Sequence, residues 1–188
     1  MRSASLLIIP ALVAACSSEN GSPTAPTRLT DQPATLPSAG TAGASHGLQL
    51  VAVQGTGAGL VSVSPTSEGA GFTAQITVNV HGLPPSTTVF VQRSPDFPVV
   101  AGQPDGICQR EAGLPPYAAV PLWVTFPIPN PGPLTMITTS PGGAGAVSFP
   151  FDLPAAAEVT FDVMFRVVDN TTAPSLELRT ACFQVTPK

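Results

Sequence analysis

The chain has 188 residues, 43% of them hydrophobic and only 10% charged, with 23 prolines, so it can bury one core but is poorly suited to long helices. With Arg2 lost in a leader, six basic side chains face 11 acidic ones, and Lys188 is the one lysine. This balance argues against nucleic acid as a partner, because binding it takes clustered Lys and Arg to displace counterions.

Met1 and Arg2 precede an apolar run, residues 3–15, broken only by serines, which is the layout of a secretory leader. About a dozen apolar residues cannot cross ~30 Å of hydrocarbon as a helix. Val13 and Ala15 satisfy the small-residue rule for an ordinary leader cut after Ala15. The same stretch, Val13-Ala14-Ala15-Cys16, resembles the processing site of bacterial lipoproteins, Leu-(Ala/Ser/Val)-(Gly/Ala)-Cys, with Val in place of the commonest Leu. The resemblance implies a diacylglyceryl thioether on Cys16, cleavage before it and acylation of the new amine, and several acyl chains anchor a protein stably where one is marginal. Ser17, where an Asp would mark inner-membrane members, is similar to the outer-membrane ones. The implied location is the bacterial cell envelope, lipid-anchored at the outer membrane, with the lipid on Cys16 as the one covalent group and no other cofactor.

Residues 17–45 hold Ser, Thr, Pro, Ala and Gly with Leu29 and Leu36 as the large apolar side chains, too little to fold, so they read as a tether. As a flexible coil its reach would be about 30 Å. From residue 46 onward the pattern turns to short β-type runs. Residues 48–53 and 60–64 are brief apolar strands joined by Gly55-Thr56-Gly57-Ala58-Gly59, which has neither the spacing of a phosphate loop nor a helix after it. Phe72, Ala74, Ile76, Val78 and Val80 alternate strictly with polar residues, the mark of a strand with one buried face. A second run, residues 87–93, is expected to pair beside it.

The segment Gly82-Leu83-Pro84-Pro85-Ser86-Thr87-Thr88-Val89-Phe90-Val91 resembles the corner of fibronectin type III domains, Gly-Leu-x-Pro-x-Thr-x-Tyr-x-Val. Val89 replaces the corner tyrosine, so its hydroxyl hydrogen bond cannot form. The match covers ten residues and implies a sandwich-type corner.

Residues 94–121 form a long irregular stretch that mixes prolines with Asp96, Phe97, Asp105, Glu111 and Tyr117, and loops of that length often carry function. Residues 122–126 and 134–139 read as strands, followed by a Pro-Gly-Gly turn and a run in which Pro150 favours an edge or a bulge. Val159, Phe161, Val163, Phe165 and Val167 form the second clearly alternating strand, and residues 176–185 close the fold as a final one.

With Cys16 consumed by lipid, Cys108 and Cys182 remain as an even pair, and a disulfide between them would close a loop of about 75 residues, worth roughly 4 kcal/mol. The alternative is two free buried thiols. The order Cys108, Trp123, Cys182 is similar to the immunoglobulin pattern, with Thr180 where a Tyr is expected two residues before the second Cys.

Catalytic and metal motifs are weak. Gly43-Ala44-Ser45-His46-Gly47 fits Gly-x-Ser-x-Gly, and Glu68 and His81 follow in the order of a hydrolase triad. That elbow needs a strand before it and a helix after it, and here it ends a coil. His46 and His81 are the two histidines and lack zinc-ligand spacing. Asp96, Asp105 and Glu111 could line a calcium site if the loop folds back, although they form no Asp-x-Asp-x-Asp-Gly run. Asn170-Thr171-Thr172 is a formal sequon that reads as a turn.

The expected architecture is an all-β, antiparallel, immunoglobulin-like sandwich of about eight or nine strands across residues 46–188, after a leader (1–15) and a lipidated linker (16–45). The expected function is a non-enzymatic binding or structural domain held on a membrane through its lipid, taking a protein or carbohydrate ligand at the sandwich rim, with Asp96, Phe97, Asp105, Glu111 and Tyr117 as the candidate binding residues. The rival readings are a secreted glycoside hydrolase that uses Asp96 and Asp105, or a carbohydrate-binding module that displays Phe97, Tyr117 or Trp123.

Overall fold

The alternation in Phe72–His81 produces a ten-residue strand whose Ala74, Ile76, Val78 and Val80 are buried while Asn79 faces solvent. In this computed structural model the described residues are 34–35, 46–65, 72–97, 104–115, 117, 123–126, 134–153 and 160–185. All of them belong to one compact unit, Asp31–Lys188. Cys16, the leader and most of the linker lie outside the described residues, as do Ser45, Glu68 and Val159.

Eleven strands and one short helix are described. In chain order they are β1 (Ala34–Thr35), β2 (His46–Gln54), β3 (Ala58–Pro65), β4 (Phe72–His81), β5 (Thr88–Asp96), α1 (Gln109–Ala112), β6 (Val124–Thr125), β7 (Met136–Thr138), β8 (Gly145–Leu153), β9 (Phe161–Val168), β10 (Glu177–Arg179) and β11 (Phe183–Val185). The all-β expectation holds, but eleven strands are described where eight or nine were expected. The final run, expected as one strand, is split into β10 and β11, the two-residue β1 lies within the stretch expected to be a tether, and the loop contains the one-turn helix α1.

The strands join into one open, curled sheet, antiparallel throughout except where β1 runs parallel to β11. From β8 the path runs through β4, β3, β2, β10 and β9, and β9 in turn pairs with β5, whose other edge carries β6 and β7. β10 is the bridge: Leu178 pairs with Ala52 on one side and with Val167 on the other. The structure therefore replaces the expected pair of separate sheets by a continuous ladder.

A second correction concerns the corner. β4 and β5 do not pair, although they are consecutive, because β4 lies between β3 and β8 while β5 lies against β9. Residues 82–87 carry the chain across the core. Leu83 is buried there, its N–H donates to the Gly143 carbonyl at 3.1 Å, and Thr139 Oγ1 accepts the Thr87 N–H at 2.8 Å while donating to the Pro84 carbonyl at 2.7 Å. Gly143 has φ +74°, and a Cβ there would run into the Leu83 carbonyl oxygen. The turn that precedes β8 and the corner that follows β4 are thus locked together.

Pro150 is accommodated as the sequence suggests, on β8, which pairs only with β4 among the described strands. The core lies inside the curl. Phe126, Phe151, Phe165 and Phe183 form a contiguous aromatic group, with centroids 5.3 Å apart for Phe126 and Phe151, 6.0 Å for Phe126 and Phe165, and 5.8 Å for Phe165 and Phe183.

Candidate functional site

Neither β5 nor β9 has a solvated face. On β9 every residue but Met164 is buried, and β5 is buried from Val91 to Asp96, so both faces of this pair are covered. One face of β5 presents Val89, Val91, Arg93 and Pro95 and the other Gln92, Ser94 and Asp96, as the period of a strand requires. The apolar side faces the curl. The polar side is covered by the described part of residues 94–123, so this stretch is a second layer across the sheet.

Each candidate residue in that stretch is engaged by the protein itself. Asp96 is buried, accepts the Arg110 N–H at 3.0 Å and lies 3.5 Å from Arg110 Nε; burial pushes its carboxyl up and Arg110 opposes that. Phe97 packs on Phe161 with centroids 5.1 Å apart. Asp105 is exposed, and its side chain closes a local turn by accepting the Ile107 N–H at 2.9 Å. Glu111 pairs with Arg179, and Tyr117 lies under the Arg110 guanidinium at 4.4 Å. Asp96, Asp105 and Glu111 thus have three different sets of partners, and among the described residues no group of three His, Cys, Asp or Glu side chains could hold a metal ion.

Cys108, at the N-terminal end of α1, is joined to Cys182, which lies between β10 and β11, with Cα atoms 5.6 Å apart. Thr180 fills the break between those two strands: its N–H donates to the Phe165 carbonyl and its Oγ1 accepts the Phe165 N–H, each at 3.0 Å. Where the immunoglobulin pattern puts Trp123 against the disulfide, its ring here carries Arg166 at 4.4 Å and Arg179 at 5.3 Å.

Sequence reasoning missed the buried charges. Asp162, the cross-strand partner of Asp96, is fully buried and accepts the N–H groups of Asp105 at 2.8 Å and Gly106 at 3.1 Å. Burial raises its carboxyl pKa to about 6, against the pull of those two N–H groups, with Asp105 and Asp96 adding to the rise. Arg166 donates to Gln92 at 2.7 Å, to Glu177 at 3.3 Å and to the Thr171 carbonyl at 3.1 Å. Its guanidinium is pushed down by burial and supported by Glu177. In the sequence these residues fall at the polar positions of alternating strands, where a solvated face is the ordinary reading.

Arg93 differs from all of these. It is 4% exposed, and its guanidinium lies over the rings of Phe126 at 5.3 Å and Phe151 at 5.0 Å. Its Nε is buried without a hydrogen-bond partner, and burial, with Arg110 nearby, lowers its pKa to about 10, so it is charged at neutral pH. It borders a small cavity of about 20 Å³, room for about one water, whose other lining is apolar and includes Val63, Ile76, Phe151, Phe161, Phe165 and Phe183. One sequence signal pointed there: Arg93 continues the Val89 and Val91 series, the inward register of its strand.

The remaining motifs yield no second site. Gly47 lies inside β2 and no helix follows, so no nucleophile elbow is built at residue 47; His81 ends β4, exposed. Among the described residues no helix is long and apolar enough to cross a membrane. Comparison with protein-family models, with curated proteins and with solved structures gave no match.

Proposed function

We propose that the chain is a lipid-anchored protein of the bacterial cell envelope, with the lipid on Cys16 and a non-enzymatic β-domain in residues 46–188 that binds a ligand or serves as a structural module. We read the curled sheet as a distorted immunoglobulin-like sandwich, with β2, β3, β4 and β8 as one layer and β5, β9, β10 and β11 as the other, crossed by the corner at residues 82–87. The observation that supports this reading most is the disulfide between Cys108 and Cys182: it accounts for two of the three cysteines, it belongs to an oxidising compartment, and it leaves Cys16 as the thiol in the lipoprotein-like processing sequence.

The glycosidase reading has little support, because Asp96 is committed to Arg110 while Asp105 is exposed and closes its own turn. A carbohydrate platform has less support than a shared exposed face would give it, since Phe97, Tyr117 and Trp123 are half-buried and packed on different partners, Phe161, Arg110 and the Arg166–Arg179 pair. The anchor is tested by Cys16→Ser in the full chain expressed in a Gram-negative host. The substituted chain should move to the soluble fraction and lose acyl labelling, and its retention in the outer membrane would overturn the reading.

A further inference from the structure

We infer that Ala34–Thr35 form a strap: a piece of the expected linker that is built into the sheet, closes the outer edge of β11 and moves the point at which the leash meets the domain from residue 46 to residue 34. By composition residues 17–45 are too poor in large apolar side chains to bury a core of their own. Backbone pairing does not need such side chains, because every residue but proline carries a donor and an acceptor. Ala34 stands opposite Phe183 and Thr35 opposite Gln184, so β1 supplies ladder partners to a strand that β9 flanks on its other side. The compact unit likewise begins at Asp31, well before β2.

The two ends of the sheet show why a strand belongs there. An end strand with unpaired N–H and C=O groups is a template for another chain, and proteins blunt it with proline or charge or else cover it. β8, at one end, pairs only with β4 among the described strands and carries Pro150 and the exposed Asp152. β11 has neither proline nor charge in Phe183–Val185, and Phe183 and Val185 are committed to the core, so this end is closed by covering. The strap is made to hold lightly. It is the one parallel pairing, it is two residues long, and Pro33 directly before it and Pro37 two residues after it have no N–H with which to extend the ladder.

The strap itself is independent of the lipid, whereas its consequence for the leash rests on the anchored reading proposed above. From Cys16 to Ala34 a fully extended chain spans at most about 60 Å, against about 100 Å from Cys16 to His46. A closed strap therefore holds the domain nearer the bilayer, and an open one lets it stand further off.

Hydrogen exchange in the full chain carrying Cys16→Ser, followed residue by residue by nuclear magnetic resonance, tests the strap without any lipid. At least one of the Ala34 and Thr35 amides should exchange about tenfold or more slower than in a free peptide. In the variant that adds Ala34→Pro and Thr35→Pro, the β11 amide facing away from β9 should exchange about tenfold faster than before, while the amides that pair β11 with β9 keep their protection and show that the fold is intact. Free-peptide exchange at both Ala34 and Thr35 would overturn the strap, and that result needs no variant at either position. The leash is tested on the acylated chain in phosphatidylglycerol vesicles that carry a dansyl-labelled headgroup, with Trp123, the single tryptophan, as the energy donor. Transfer should weaken when Ala34→Pro and Thr35→Pro are introduced, and equal transfer would overturn the shortened leash. A chain that never associates with the vesicles refutes the anchor, and the exchange rates still decide the strap.

Discussion

Arg166 and Arg93 project from opposite faces of the same strand pair and differ in one respect, their partners. Arg166 is hydrogen-bonded to Gln92, Glu177 and the Thr171 carbonyl, so truncating it leaves Glu177 buried with Arg179 alone on its carboxylate. Breaking a buried pair from one side costs about 3–5 kcal/mol, and we place Arg166→Met near 3 kcal/mol because Arg179 still reaches Glu177. Arg93→Met deletes a charge with no carboxylate partner among the described residues, and its cost should stay within about 1 kcal/mol of zero, with a gain in stability an acceptable outcome. Urea midpoints at constant slope measure both. The contrast fails if Arg93→Met proves the more damaging of the two.

At the scale of elements, α1 and the turn before it are held on the sheet by the disulfide, by Arg110 on Asp96 and by two backbone N–H groups on Asp162. Asp162 makes this attachment pH-dependent. Its pKa is raised from the usual carboxylate value of 3.8 to about 6, so between those values the folded state holds a proton that the unfolded state has lost, and stability from this group falls as pH rises through that window. The group is faced by Asp96 across the strand pair and by Asp105 from the loop, both acidic, so the difference between wild type and Asp162→Asn isolates it. Wild type should gain stability relative to Asp162→Asn as pH drops from 7 to about 4, and a pH-independent difference would contradict the assignment. The corner is tested separately. Gly143→Ala meets the Leu83 carbonyl at a positive φ, and a loss of roughly 1–3 kcal/mol in urea unfolding is expected. The strands were readable because β4 and β9 alternate with period two and Pro150 marks an edge. What alternation cannot show is which polar face is covered: Asp162 and Arg166 occupy solvent positions by pattern, yet they lie beneath a layer brought over them by contacts distant in sequence. For the same reason Asp96 and Tyr117 read as binding residues in the sequence and serve as fasteners in the fold.

For the whole molecule, the deciding feature is the continuity of the ladder through β10, which joins what would otherwise be two separately bounded layers. A sheet with one shared core and no break in pairing is expected to unfold as a unit. The covering layer is the part most able to depart from this, and it contains Trp123, the single tryptophan, stacked with Arg166 and Arg179. Fluorescence therefore reports the layer, and far-UV circular dichroism reports the sheet. In the oxidised protein the two urea transitions should coincide, because the disulfide and the buried carboxylates couple layer to sheet. Reduction removes a link between residues 74 apart in sequence, worth roughly 4 kcal/mol against a typical total of about 5–15. The loss falls first on the layer, so after reduction the fluorescence midpoint should drop further than the circular dichroism midpoint. Separate transitions in the oxidised protein would show that the layer docks independently, and would return residues 94–121 to the role of a candidate binding loop that the sequence alone suggests.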